Sequence, residues 1–137
     1  MTAREYTPSP EPGSRYKGSG VTLAPYYHAP MPNAARVVLI TAPDEECARK
    51  IARSLVEERL LACANIVPGI TSIYRWEGAV EETSEALLIG KTTDARLAQL
   101  ETRLSELHPY DVPECVALAP VRVAARYLAW LMESTDS

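Results

Sequence analysis

The 137-residue sequence predicts an α+β sandwich, in which an antiparallel sheet carries helices on one face. Three observations predict this class. Apolar runs typical of strands alternate with segments of helical periodicity, two strands follow each other as one long hairpin, and a further helical segment closes the chain. The length is that of a single domain with a core of its own.

Residues 1–35 are predicted to be a flexible Pro/Gly/Ser-rich tail that precedes a domain of residues 36–137. The tail holds six of the eleven prolines and few clustered aliphatic residues, so it cannot bury enough surface to offset the entropy of ordering. Its one aromatic segment, 21-VTLAPYYHAP-30, could lie on the domain or on a neighbouring subunit.

The first strand and first helix are predicted where the composition changes. The run 37-VVLIT-41 is apolar throughout, which is typical of a strand at the centre of a sheet. Pro43, placed in the first turn, and the acids of 44–46 indicate the start of a helix, because acidic side chains are favoured at its positive end. The apolar face of this helix is predicted to consist of Ala48, Ile51, Ala52, Leu55 and Val56.

A long hairpin follows. In 62-ACANIVPGITSIYRWEG-78 the side chains alternate from Ile70 to Glu77, and Pro68-Gly69 predicts a bulge or bend early in this strand. A turn at Glu77-Gly78 leads into the returning strand, 80-VEETSEALLIGKTT-93. The hairpin is long for so small a domain, so its far half should extend beyond the core or pair with another chain.

The rest of the chain completes the fold. A second helix starts at Asp94 and stops near His108, because Pro109 disfavours helical geometry before it. A short strand is predicted at 115-CVALAPV-121 and a last helix at 123-VAARYLAWLMES-134. The order is therefore that of a ferredoxin-like β-α-β-β-α-β sandwich with a C-terminal helix. The stripe of the second helix comprises Leu97, Leu100, Leu104 and Leu107.

Charge and cysteine usage restrict the function. The net charge is −4, and residues 36–137 hold 11 basic and 16 acidic side chains, which argues against a nucleic-acid partner. Three cysteines at no CxxC spacing support neither a disulfide framework nor a zinc ribbon. No apolar run is long enough to cross a membrane and no signal peptide is apparent, so we expect a cytoplasmic protein.

Three common ferredoxin-like functions are disfavoured by the residues present. A copper chaperone needs a pair of thiolates in the first β-α loop, and 41-TAPDEEC-47 offers one. An acylphosphatase needs an anion-binding loop there, whereas this loop is acidic. An RNA-recognition module needs aromatic residues and basic surroundings on its central strands, and 37-VVLIT-41 has neither.

A specific resemblance covers residues 36–137. The motifs that carry it, in order along the chain, are 41-TAPDEE-46, 59-RLLACANIVPGITSIYRWEG-78, 91-KTT-93, 108-HPYDVPE-114 and 127-YLAWL-131. Together they resemble the CutA family of divalent-cation tolerance proteins. The resemblance implies a cytoplasmic homotrimer whose hairpins meet across subunit boundaries, a link to metal tolerance, and binding of Cu(II) or another divalent metal.

The predicted metal site departs from the family pattern. That pattern places a cysteine at the end of the first strand and a pair of histidines at the end of the second helix, where this chain has Ile40, and Leu107 before His108. His108, Cys63 and Glu114 are the predicted ligands, because thiolate and imidazole suit copper. Asp111 and Tyr110 are further candidates. The alternative for His108 is a helix C-terminal cap, and for Cys63 a small buried core residue.

A cleft between subunits is a second predicted site. Its residues are Trp76, Glu85, Lys91, Tyr110 and Glu114, with Glu114 expected to pair with Lys91 or Arg75. A catalytic set is not evident, since the domain has one histidine and no glycine-rich phosphate loop, so no enzyme activity is expected. Two alternatives stay open: a small-molecule sensor or regulatory trimer related to the PII proteins, and a purely structural trimer without a metal site. The partner is expected to be the chain itself, with any small-molecule or protein ligand unknown.

Overall fold

The computed structural model describes residues 34–136. The predicted tail up to residue 33, with its aromatic segment 21–30, lies outside the described residues. Within 34–136 the chain forms four strands and three α-helices, and a 3₁₀ turn at Asp94–Arg96 leads into the second helix. In chain order these elements are β1 Ala35–Ala42, α1 Glu45–Glu57, β2 Cys63–Trp76, β3 Ala79–Thr93, α2 Leu97–Leu107, β4 Val116–Leu118 and α3 Ala125–Ser134.

The strands form one antiparallel sheet in the order β2-β3-β1-β4. Strand β1 is central, with Ala35–Ala42 paired to residues 86–93 of β3 and residues 37–39 paired to β4. This order confirms the predicted ferredoxin-like sandwich, and it places the apolar 37-VVLIT-41 at the sheet centre as expected.

Helices α1 and α2 cover one face of the sheet and enclose the main core. The leucine stripe of α2 packs there as predicted. Two details of α1 differ from the prediction. The helix begins after Asp44, whose Oδ1 accepts the Cys47 N–H at 2.7 Å, so Pro43 precedes the helix and is not part of its first turn. Val56 is 37% exposed, because it lies at the border of the apolar face. The buried residues of this core are Val38, Ile40, Ala42, Ala48, Ile51, Ala52, Leu55, Leu60, Leu61, Ala86, Leu88, Leu100 and Leu104.

Helix α3 forms a smaller cluster with one end of the sheet. Leu131 is buried against Ala35 and Ala62, and Leu128 packs at its border. Because Ala35 alternates with the core-facing residues of β1, it points to the face opposite α1 and α2. Helix α3 therefore lies over the second face of the sheet, at the end where β1 begins.

The β2–β3 hairpin has the predicted bulge and turn. The pairing register shifts between Val67 and Ile70, where Gly69 has φ 66°. At the tip, Glu77 and Gly78 have φ 48° and 81°, as a two-residue hairpin turn with two left-handed positions requires. Residues 70–85 contribute nothing to the main core, so about 20 Å of two-stranded ribbon extends beyond it.

The end of the chain is more irregular than predicted. Strand β4 covers Val116–Leu118, within the predicted 115–121, because Pro120 has no N–H to continue the ladder. Helix α3 begins at Ala125, two residues later than predicted. From residue 34 to 136, no helix combines the length and the apolar character that crossing a membrane requires.

Candidate functional site

His108 directly follows α2 and is buried, with 7% of its surface exposed. Its Nε2 lies 2.7 Å from the backbone oxygen of Thr41, and its Nδ1 accepts the backbone N–H of Tyr110 at 3.1 Å. An imidazole nitrogen that accepts a hydrogen bond carries no proton, so the proton is on Nε2, which donates to Thr41. The imidazole thus ties the segment after α2 to the end of β1.

Tyr110 continues this buried cluster to the hairpin. Its hydroxyl donates to Oε2 of Glu85 at 2.8 Å, and its ring lies 4.7 Å from the His108 ring, centre to centre. Glu85 is 2% exposed and stands on β3 where the ribbon leaves the core. Buried carboxylates are costly unless they accept hydrogen bonds, so Tyr110 stabilises Glu85 at the base of the hairpin.

Thr41 is a member of this cluster that the sequence reasoning missed. Its backbone oxygen accepts the His108 hydrogen bond, and its buried Oγ1 has no hydrogen-bond partner within the described chain. The alternation of β1 places the Thr41 side chain on the face opposite Ile40, which is in the main core. Because Thr41 meets His108 through its backbone oxygen, no side-chain pattern in β1 could have indicated it.

The three predicted metal ligands do not come together in one chain. Cys63 pairs in register with Lys91, at the far end of β3 from Glu85 and the His108 cluster. Its sulfur lies 3.4 Å from the Tyr127 hydroxyl, a contact that raises the pKa of Tyr127 to about 12. In the described range 34–136, no three His, Cys, Asp or Glu side chains are grouped closely enough to hold a metal ion. Copper binding by this set stays a prediction.

The predicted cleft is assembled only in part. Glu85 and Tyr110 are in direct contact. Trp76 pairs with Ala79 near the hairpin tip, and Lys91 lies six residues from Glu85 in the other direction, so each is about 20 Å along the strand from the pair. A single subunit therefore brings two of these five predicted cleft residues together.

Lys91 and Glu114, the two remaining charged residues of the predicted cleft, do not pair with each other in the structure. Lys91 donates from Nζ to Oδ1 of Asn65. Glu114 is half-buried and makes no ion pair with any residue between 34 and 136, so the expected pairing with Lys91 or Arg75 is not formed within this part of the chain.

Within residues 34–136, the sheet face opposite α1 and α2 is largely apolar, and α3 covers it at one end. Beyond the end covered by α3, Thr41 and Glu85 are buried on this face, whereas its apolar side chains are half-buried or exposed, and Val67, Val116 and Leu118 are 41%, 46% and 48% exposed. Register and alternation place all its members on the same side. We call this surface the open sheet face, and it comprises Val37, Leu39, Val67, Leu87, Ile89, Val116 and Leu118.

The two edges of the sheet carry opposite charges. Beside the outer edge of β2, a cavity of about 340 Å³ is lined by Arg49, Arg53 and Glu57 over an apolar floor. Beside β4, a cavity of about 350 Å³ is lined by Glu101, Asp111 and the thiol of Cys115, among others. Burial raises the pKa of the Cys115 thiol to about 11. The charged side chains of the first lining therefore sum to +1, and those of the second sum to −2.

The similarity to known proteins lies in the same part of the chain that the structure describes. A family model described as CutA1 divalent ion tolerance protein matches residues 36–134. The divalent-cation tolerance protein CutA of Thermus thermophilus is 59% identical over 99 residues, which are 72% of this chain and 96% of that protein. The chloroplastic protein CutA of Arabidopsis thaliana is 48% identical over 99 residues, which are 72% of this chain and 54% of that protein. The chain thus spans about half of that plant relative.

Solved structures agree in fold. The divalent cation tolerance protein Cut A1 from Thermus thermophilus superimposes with a TM-score of 0.73 at 57% sequence identity, over 74% of this chain and 99% of that chain. CutA1 from Oryza sativa gives a TM-score of 0.73 at 44% identity, over 75% of this chain and 94% of that chain.

Proposed function

Because the chain belongs to the CutA1 family of divalent ion tolerance proteins, we propose that it acts in divalent-cation tolerance as a homotrimer that associates through the open sheet face. The observation that carries the proposal is the exposure of this face. Helices α1 and α2 cover one side of the sheet. On the other side, apolar side chains such as Leu118 are about half exposed to solvent. Contiguous apolar surface of this kind is typical of a protein–protein interface.

The hairpin supports self-association independently. A two-stranded ribbon has little stability alone in water, and residues 70–85 extend from the core with no third strand from the described chain. Ile70, Tyr74 and Trp76 share the side of the ribbon that continues the open sheet face, and they are half-buried. A neighbouring subunit that covers both surfaces would stabilise the ribbon.

The charged edges favour a cyclic arrangement. If the basic edge beside β2 meets the acidic edge beside β4 of the next copy, each contact is heterologous, and such contacts form a ring when the rotation closes. Arg53 opposite Asp111 would supply complementary charge at each contact. The resemblance to the family sets the number of subunits in the proposed ring at three.

A bound divalent metal, Cu(II) included, would take its ligands from more than one subunit or from residues outside 34–136. This follows because the described residues of one chain form no ligand cluster and because both ring nitrogens of His108 have backbone partners. We also propose a reducing, cytoplasmic location, since Cys47, Cys63 and Cys115 are all free thiols. No catalytic role is proposed.

Native mass spectrometry of the full chain tests this proposal. The wild type should be a trimer. Leu118→Glu should be a monomer at the same concentration, because three carboxylates would be buried in an apolar interface. Ala98→Glu, an equal charge on the exposed side of α2, should stay trimeric.

A Cu(II) titration extends the same experiment to the metal. Copper retained by the wild type and lost by the Leu118→Glu monomer would place its ligands on more than one subunit. A wild-type monomer, or a Leu118→Glu trimer, would contradict the assembly. Copper bound equally by both proteins would exclude ligands shared between subunits and would leave residues outside 34–136 as their source.

A further inference from the structure

We infer that His108 is a positioning residue that orients Tyr110 toward Glu85, and that it does not ligate metal in this chain. The inference concerns the residue on which the sequence-based copper prediction depends. It rests on the contacts within one subunit and does not require the proposed trimer.

The Nδ1 contact is the deciding one. A metal-bound histidine commonly donates its other N–H to a backbone carbonyl, so the hydrogen bond from Nε2 to Thr41 would by itself fit a metal ligand. The nitrogen left for the metal would then be Nδ1. That atom already accepts the N–H of Tyr110, a residue that is 8% exposed. Binding a metal there would leave a buried N–H without a partner, which is unfavourable.

Among residues 34–136, the surroundings of His108 supply no second ligand. Ile40 stands where the family pattern has a cysteine, and its side chain is fully buried in the main core. Thr41 is the strand residue that meets His108, and it does so through its backbone oxygen. A hard carbonyl oxygen at this position of β1 does not match the pairing of imidazole with thiolate that copper favours.

The same two hydrogen bonds explain a positive role for the imidazole. His108 joins the end of α2 to the end of β1, and the N–H that it accepts belongs to Tyr110. The Tyr110 hydroxyl then reaches Glu85 on β3. The imidazole therefore holds the aromatic ring over the point where the hairpin leaves the core.

NMR of ¹⁵N-histidine-labelled protein tests the tautomer and the metal together. Two-bond ¹⁵N–¹H correlations should show Nδ1 of His108 without a proton, and these signals should be unchanged when Zn(II), a diamagnetic probe, is added. The chain has a second histidine, His28, which serves as the internal reference. A proton on Nδ1, or a nitrogen shift of His108 on addition of Zn(II), would overturn the inference.

Variants test the positioning role. His108→Gln places an amide N–H near the position of Nε2 and should keep part of the link to Thr41, whereas His108→Ala loses both hydrogen bonds. We expect slow exchange of the Tyr110 hydroxyl proton in the wild type, faster exchange in His108→Gln, and the fastest in His108→Ala. If His108→Ala does not fold, the comparison of the wild type with His108→Gln still shows whether the imidazole positions Tyr110.

Copper uptake supplies the second readout. The number of Cu(II) ions bound per subunit, counted by native mass spectrometry, should be the same in the wild type and in His108→Gln. His28→Ala is the matched control for loss of a histidine. Loss of one copper per subunit in His108→Gln but not in His28→Ala, or an unchanged Tyr110 hydroxyl in every His108 variant, would refute the inference.

Discussion

Gly90 allows a quantitative test of how closely the connection after α1 packs on the sheet. A Cβ atom at Gly90 would lie 2.7 Å from Cδ2 and 3.0 Å from Cδ1 of Leu61. Favourable contacts between carbon atoms occur at about 3.5 to 4.0 Å, so the overlap is close to 1 Å. Leu61 is fully buried and cannot move into solvent.

We expect Gly90→Ala to lower the free energy of unfolding by about 1 to 3 kcal/mol, the usual cost of overpacking a core. Leu61→Ala alone should cost about 2 to 5 kcal/mol, because it leaves a cavity. In the Leu61→Ala background the new methyl group fills part of that cavity. There Gly90→Ala should be neutral or stabilising by roughly 0.5 kcal/mol, since alanine is better tolerated than glycine in a strand.

The measurement is urea-induced unfolding of the four proteins, followed by circular dichroism at one protein concentration, because the proposed self-association would add to the apparent stability. The effect of Gly90→Ala on the free energy of unfolding is compared between the wild-type and Leu61→Ala backgrounds. The difference between these two effects is the coupling energy, which we expect to exceed about 1 kcal/mol. A Gly90→Ala variant as stable as the wild type, or one that loses the same free energy in both backgrounds, would refute the close packing.

Three further predictions concern single contacts. Tyr110→Phe removes the hydroxyl that donates to buried Glu85 and should lower the free energy of unfolding by about 1.5 to 3 kcal/mol. The same substitution should cost less in a Glu85→Gln background, and equal costs in both backgrounds would contradict a direct contact. Asp44→Ala removes the acceptor for the Cys47 N–H and should cost about 1 kcal/mol by the same unfolding assay, whereas no loss would mean that water replaces the cap. Burial raises the pKa of Cys115 from 9.0 to about 11, so the folded state favours the neutral thiol. As the pH rises from 9 towards 11, the thiol of the unfolded chain ionises first, and the free energy of unfolding falls. Alkylation of Cys115 by iodoacetamide at pH 8 should be roughly 100-fold slower than in urea, as peptide mapping can show, and equal rates would contradict the shift.

The sequence was most informative where periodicity alone determines the structure. The alternation in β2, the leucine stripe of α2 and the Glu77-Gly78 turn each lie where predicted. These patterns reflect burial on one face, which depends on the type and spacing of the residues. The exposed position of Val56 and the end of β4 at Leu118 were not predicted, because they depend on how far neighbouring elements extend.

The candidate site was less predictable because it also depends on contacts between different elements. The resemblance to the family can nominate His108 as a ligand, but it cannot show that backbone groups of Thr41 and Tyr110 occupy both ring nitrogens. Those partners carry no sequence signal, since every residue but proline has the same N–H and every residue has the same C=O. The distance from Cys63 to the cluster likewise follows from strand register, which spacing along the chain does not reveal.

The bulge between Val67 and Ile70 decides which side of the ribbon is presented to a neighbour. Because strand side chains alternate, a regular ladder of the same sequence would put Ile73 and Arg75 on the side of Glu85, and the bulge, which sets one residue outside the alternation, puts Tyr74 and Trp76 there instead. Loss of a single residue at this point would remove the bulge and leave Ile70 opposite Glu85, so the same side chains would stay on each side of the ribbon. In the proposed trimer, a subunit without the bulge would therefore keep the side chains that face a neighbour and lose the bend that the bulge gives to β2.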